Sequence, residues 1–161
     1  MSKLTQNVVI KKIKSAHKAV FVAVLLVCIF ILFFAIYSQN ISSSNSKLVI
    51  NNDTVITVQF ARTPEEQTKG LCCRNSLPKN SGMLFVNEKP GNYRFWMKDT
   101  RIPLDMYWID ANKKIVHIEH NVRPSSYPKT FGTAIPAQYI LETNAGYAKE
   151  KNITIGNTVS F

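Results

Sequence analysis

The apolar and polar positions divide the chain into one uniformly apolar stretch near its start and a longer part made of short, partly alternating runs. Ala19 to Tyr37 carries no charged residue and is almost wholly Val, Leu, Ile, Phe and Ala. Wound as a helix it would be about 28 Å long, close to the roughly 30 Å hydrocarbon thickness of a bilayer. A core helix seldom stays apolar on every face for this length. A cleaved signal peptide has a shorter apolar region and ends at a small-x-small site, which Ser38-Gln39-Asn40 does not supply. Leu25-Leu26-Val27-Cys28 has some lipoprotein character, yet Val27 is not small and apolar residues continue beyond Cys28. Cys28 therefore reads as a small hydrophobe inside the span. The pattern predicts one transmembrane helix over residues 19–37.

Residues 38–47 form a polar Ser/Asn stretch, read as a short linker. From Leu48 onward the runs shorten. Thr54 to Phe60 is β-branched and partly alternating, a strand. Thr63-Pro64-Glu65-Glu66 opens a helix, with Thr63 as cap, Pro64 at the first helical position and Glu66 completing a capping box; Gly70 ends it. Met83 to Val86, Tyr93 to Met97, Asp105 to Ile109, Lys114 to His120, Gln138 to Thr143 and Asn157 to Phe161 read as further strands. Ala111-Asn112 is placed at a hairpin tip, a long loop holds Pro124, Pro128 and Pro136, and Asn144 is read as the cap of a second short helix through Lys149. Residues 48–161 thus predict one α+β domain, mainly antiparallel and barrel-like, with two short helices. About 110 residues suffice for one core, and the domain is expected to be monomeric.

Charge changes the picture in two ways. Lys3, Lys11, Lys12, Lys14 and Lys18 precede the span with no acidic residue among them, so residues 1–18 read as a cytoplasmic arm and the domain as periplasmic or extracellular. Of the net charge of +10, half is this topology signal, and the remaining 15 basic and 10 acidic residues are scattered. That distribution argues against a nucleic-acid partner. Three cysteines, one of them in the span, make no disulfide framework. Adjacent Cys72 and Cys73 either bond to each other or stay reduced, and no stabilising disulfide is expected of them.

The runs RTPEEQTKGLCCR (Arg62–Arg74), GMLFV (Gly82–Val86), FWMKDTRIPLDMYWID (Phe95–Asp110) and QYILETNAG (Gln138–Gly146) resemble, in this order, the family called domain of unknown function 192. The resemblance covers essentially all of residues 48–161. It implies a compact β-rich domain, often exported in prokaryotes, and implies no reaction. Cys72 stands where the family usually has Met, Asp99 where Asn is typical, and Asn157 where Asp is typical after Gly156.

The densest chemistry lies in Trp96, Lys98, Asp99, Arg101 and Asp105, beside the bend at Pro103. In an extended chain Trp96 and Lys98 share one face, and Phe95 and Met97 the other. An aromatic group next to a cation is a platform for a carboxylate or a sugar, or else a core Trp beside a solvated loop. Asp105 and Glu142 each interrupt an apolar run, so each must be paired, hydrogen-bonded or functional if buried. Arg74 or backbone amides would serve equally well as partner for either of them. The binding set read from the sequence is therefore Arg74, Trp96, Lys98, Asp99, Asp105 and Glu142. Two carboxylates flanking a bond would also suit a hydrolase of envelope glycan or peptide. His117-Ile118-Glu119-His120 invites a metal reading, but His120 falls on the opposite strand face from His117 and Glu119. No cofactor is implied. The leading expectation is a membrane-anchored module that binds a ligand or protein of the cell envelope and is not an enzyme. An Asp105/Glu142 hydrolase and an accessory subunit of a membrane complex are the alternatives.

Overall fold

The computed structural model describes Phe21, residues 24–33 and residues 46–161. The chain divides into two units, Met1–Ser43 and Ser44–Phe161. In the first, Phe21 and residues 24–33 are helical with exposed side chains. The other residues of the Ala19–Tyr37 expectation lie outside the described residues, as do the arm at 1–18 and residues 38–45. Among the described residues no helix is long and apolar enough to cross a membrane.

The second unit contains β1 (Ser46–Ile50), β2 (Thr54–Ala61), α1 (Pro64–Lys69), β3 (Ser81–Gly91), β4 (Phe95–Trp96), β5 (Leu104–Ile109) and β6 (Ile115–Val122), in that order. A 3-10 turn (Pro124–Ser126), β7 (Thr130–Phe131), β8 (Ala137–Asn144), α2 (Tyr147–Glu150) and β9 (Val159–Ser160) complete it. Seven strands form one sheet in the order β6-β5-β8-β3-β2-β1-β9, while β4 and β7 pair as a separate ribbon. The sheet curls until its two ends approach. Lys114, just before β6, bridges to Thr158, just before β9, and Ile115 and Val159 donate backbone hydrogen bonds to Asn157 and Lys113. The ladders are antiparallel except β2–β3, which run parallel and are joined through α1. A parallel pair needs a crossover, and here the crossover lays α1 over a sheet face.

Both faces of the sheet are covered. One face packs Leu48, Ile56, Val58, Leu84, Tyr107, Ile109, Ile115 and Leu141. The other packs Met83, Phe85, Met106, Trp108 and Ile140 against Leu71, Leu77, Met97, Ile102 and Phe131 from the loops. This explains why β5 is buried at every position and reads as a continuous apolar run.

Several expectations are corrected. Ser46 and Lys47 belong to β1, because their backbone pairs with Val58 and Thr57 rather than running on as linker. The strand expected over Tyr93–Met97 shrinks to Phe95–Trp96, since β7 offers only two partners before the chain turns at Lys98-Asp99. Asn144 caps no helix: it ends β8, and its side-chain amide donates to the carbonyls of Leu77 and Pro78 at 3.0 and 3.3 Å. Helix α2 begins instead after Gly146, held at φ +83°. The capping box of α1 forms as read, with Thr63 Oγ1 accepting from the Glu66 N–H and the Glu66 carboxylate accepting from the Thr63 N–H. Cys72 and Cys73 are joined to each other.

Candidate functional site

Helix α1, the following Gly70-Leu71 and the Tyr93–Thr100 segment stand apart over the outer sheet face. Between them lies a cleft of about 400 Å³. Gln67, Thr68 and Lys69 line one side; Tyr93, Arg94, Phe95, Trp96, Lys98 and Thr100 line the other. Phe85 and Glu142 face it from the sheet. Each wall is tied down from below. The Trp108 indole N–H donates to the Tyr93 carbonyl at 3.0 Å, and the Gln67 amide donates to the Val86 carbonyl at 2.9 Å. At one end the Cys73 N–H donates to the Asp99 carbonyl at 3.0 Å, and Arg101 donates to the Asn75 side chain at 2.9 Å, linking the loop after α1 to the Lys98-Asp99 turn.

Glu142 is the unusual group. It sits in β8 opposite Met83 of β3 and Met106 of β5, so its side chain projects between two methionines. It is 4% exposed, and among the described residues no hydrogen bond or ion pair reaches its carboxyl. Burial pushes its pKa up from the ordinary 4.5 to about 8. Most buried carboxylates are paired or hydrogen-bonded. This one opens instead onto the cleft. Close strand approach helps place it: a Cβ on Gly82 would lie 2.6 Å from the Glu142 carbonyl oxygen, so only glycine allows β3 to pack there.

Asp105 is placed elsewhere. In the β5–β8 ladder it faces Thr143, while Glu142 faces Met106. Successive residues alternate between sheet faces, so Asp105 and Glu142 project to opposite sides. They cannot flank one bond, and the expected hydrolytic pair is corrected on that ground. Asp105 is fully buried, and its two oxygens accept from the backbone N–H groups of Asn121 and Ala148 at 2.8 and 2.9 Å. It ties the end of β6 to the start of α2. A second hollow of about 760 Å³ adjoins it, with His120, Asn121 and Lys149 among its lining, but both Asp105 oxygens are already engaged.

The six sequence-read residues therefore separate. Trp96, Lys98 and Glu142 share the cleft. Trp96 is 52% exposed, with its ring 5.9 Å from both the Tyr127 ring and the Lys98 ammonium. Asp99 is exposed at φ +54° and does not line the cleft; its turn needs a residue tolerant of the left-handed region, which Asp and Asn are. Arg74 donates to the Gln59 side chain at 2.7 Å and meets neither carboxylate. His117 pairs with Glu119 at 3.1 Å, and among the described residues no group of three or more His, Cys, Asp or Glu is arranged to hold a metal. Sequence reasoning missed Gln67, Thr68, Lys69, Phe85, Tyr93, Arg94 and Thr100. The one available signal was the short capped helix between two strands, which in a parallel crossover must cover the sheet.

A curled β-sheet with a crossover helix and a loop ribbon enclosing a cleft on one face defines a small β-rich domain. Residues 47–161 match the DUF192 family, described as an uncharacterised ACR, and the chain belongs to this family. Among solved structures, a protein of unknown function from Novosphingobium aromaticivorans DSM 12444 is 30% identical, with a TM-score of 0.69 over 73% of this chain and 85% of that one. A Sinorhizobium meliloti 1021 protein named as a candidate transcription regulator is 28% identical, with a TM-score of 0.68 over 73% of this chain and 95% of that one. No curated protein matches.

Proposed function

We propose that this domain is a ligand-binding module whose cleft takes a small molecule over Glu142, and that the Ala19–Tyr37 stretch anchors it at the outer face of the cytoplasmic membrane. The observation that carries the binding reading is Glu142: buried, without a partner among the described residues, and open to the cleft. A volume of about 400 Å³ suits a small ligand rather than a polymer. The aromatic wall of Phe85, Phe95 and Trp96 supplies apolar contact, and Lys69, Arg94 and Lys98 make the lining net positive. The anchor reading rests on the uncharged stretch, the lysines before it and the helical conformation of residues 24–33. A nucleic-acid role is disfavoured because the domain's basic residues are scattered.

A small-molecule fragment screen followed by protein NMR tests the binding reading. Hits are expected to move the amide signals of Leu71, Phe85, Trp96 and Thr100. Thr68→Trp, which fills the cleft from its exposed α1 side, should abolish those shifts. Absence of hits, or hits that survive Thr68→Trp unchanged, overturns the reading.

A further inference from the structure

Taking the cleft as the ligand site proposed above, we propose that its ligand is a zwitterionic quaternary ammonium compound. The cationic head lies against Glu142 and the aromatic wall, and the anionic end lies at the lysines of the rim. Three features of the cleft lead there. The first is the carboxyl of Glu142, set between Met83 and Met106 and in no ion pair among the described residues. An organic cation is the partner such a group lacks. The second is the wall of Phe85, Phe95, Tyr93 and Trp96. Aromatic faces attract cations, and quaternary ammonium groups are the ligands that such walls recognise best. A primary ammonium carries three N–H donors and would need three acceptors. On the floor the Glu142 carboxyl is flanked by the thioethers of Met83 and Met106. A quaternary head asks for no hydrogen bond.

The third feature is charge. Lys69 from α1, Arg94 before β4 and Lys98 after it line the same cleft, and the Tyr93 phenol donates away from it to the Lys89 carbonyl. Arg94 is partly occupied by Thr130. Lys69 and Lys98 form no ion pair among the described residues. A simple cation would be repelled by these groups, whereas a zwitterion offers them its acid. Met83 and Met106, the strand neighbours of Glu142, carry no charge, so among the described residues the rim cations and Tyr93 are the titratable groups sharing the cleft with it. Burial keeps the free Glu142 carboxyl mostly protonated at pH 7. Binding of a cation then releases one proton from Glu142 to the buffer, and no other bond changes.

Calorimetry on the full chain in maltoside micelles at pH 7 tests this with matched pairs. Glycine betaine is compared with 3,3-dimethylbutanoate, and 4-trimethylammoniobutanoate with 5,5-dimethylhexanoate; each pair differs only in nitrogen for carbon. At least one ammonium compound should bind ~10-fold or more tightly than its carbon isostere, a difference of about 1.4 kcal/mol. Its binding heat should follow the buffer's ionisation enthalpy, reporting proton release. Glu142→Gln should erase both the preference and the proton release. Lys98→Ala, an exposed change, should weaken the ammonium compound and its isostere alike. Isosteres that bind as tightly as the ammonium compounds, or ammonium binding indifferent to Glu142→Gln, overturn the ligand class while leaving the cleft as a binding site. No binding by any of these probes, with fragment hits still found in the cleft, also overturns the class alone. No binding and no fragment hits overturn both readings.

Discussion

Glu142 has no hydrogen-bond partner among the described residues, and desolvation lifts its pKa from 4.5 to about 8, so the folded chain favours its neutral form. The unfolded chain releases that proton at lower pH. Between about pH 4.5 and 8 the folded state therefore binds more protons than the unfolded state, and stability falls as pH rises through this window. The full loss is on the order of 5 kcal/mol at most. Urea unfolding should show Glu142→Gln equal to the parent near pH 4 and more stable than the parent near pH 9. A parent whose stability is flat across this window would contradict the assignment. Asp105 behaves differently because both its oxygens accept backbone N–H groups. Asp105→Ala leaves those donors unpaired and should cost about 2–4 kcal/mol in the same experiment. It should leave affinity in the cleft unchanged, whereas a hydrolytic pair would require both carboxylates. The sequence marks both residues as polar breaks in apolar runs. It does not reveal which sheet face each occupies, because that depends on the β5–β8 register.

At the scale of elements, local chemistry was legible wherever it is complete within a few residues. Thr63-Pro64-Glu65-Glu66 contains all the groups that start α1, and the helix forms where they predict. Helix α2 lacks such a signal: Gly146 adopts a left-handed turn with no side-chain cap, and Asn144 is drawn into β8 by the Leu77 and Pro78 carbonyls. Strand β4 is short because its partner β7 is short, a tertiary fact invisible in the Phe95–Met97 alternation. The Cys72–Cys73 bond also belongs here. It joins neighbouring residues and closes no longer loop, while disulfide stabilisation grows with the length of chain enclosed. The wall contact from the Cys73 N–H to the Asp99 carbonyl is backbone and survives substitution. The Cys72→Ser/Cys73→Ser double variant should melt within a few degrees of the parent. A loss of several kcal/mol would show that the pair holds the cleft end together.

At the scale of the molecule, the curled, barrel-like sheet and the nearness of Trp96 to Lys98 were readable, and the opposite wall of the cleft was not. The cleft needs α1 to cross between parallel β2 and β3, and needs Glu142 to meet Phe95 and Trp96 across more than forty residues of chain. Periodicity reports which positions alternate, not which distant strands pair. Arg74 shows the same limit: a cation near two carboxylates in the sequence reading turns out to bond Gln59 on β2. What the sheet achieves is to cover both of its faces while leaving one carboxyl over a gap in the outer layer. That arrangement is tested most directly by carbon-13 NMR titration of the Glu142 side chain in the full protein. A midpoint near 8 is expected in the ligand-free chain, falling when 4-trimethylammoniobutanoate saturates the cleft. A midpoint near the ordinary 4.5 in the ligand-free chain would mean that Glu142 is solvated or paired, and would contradict it.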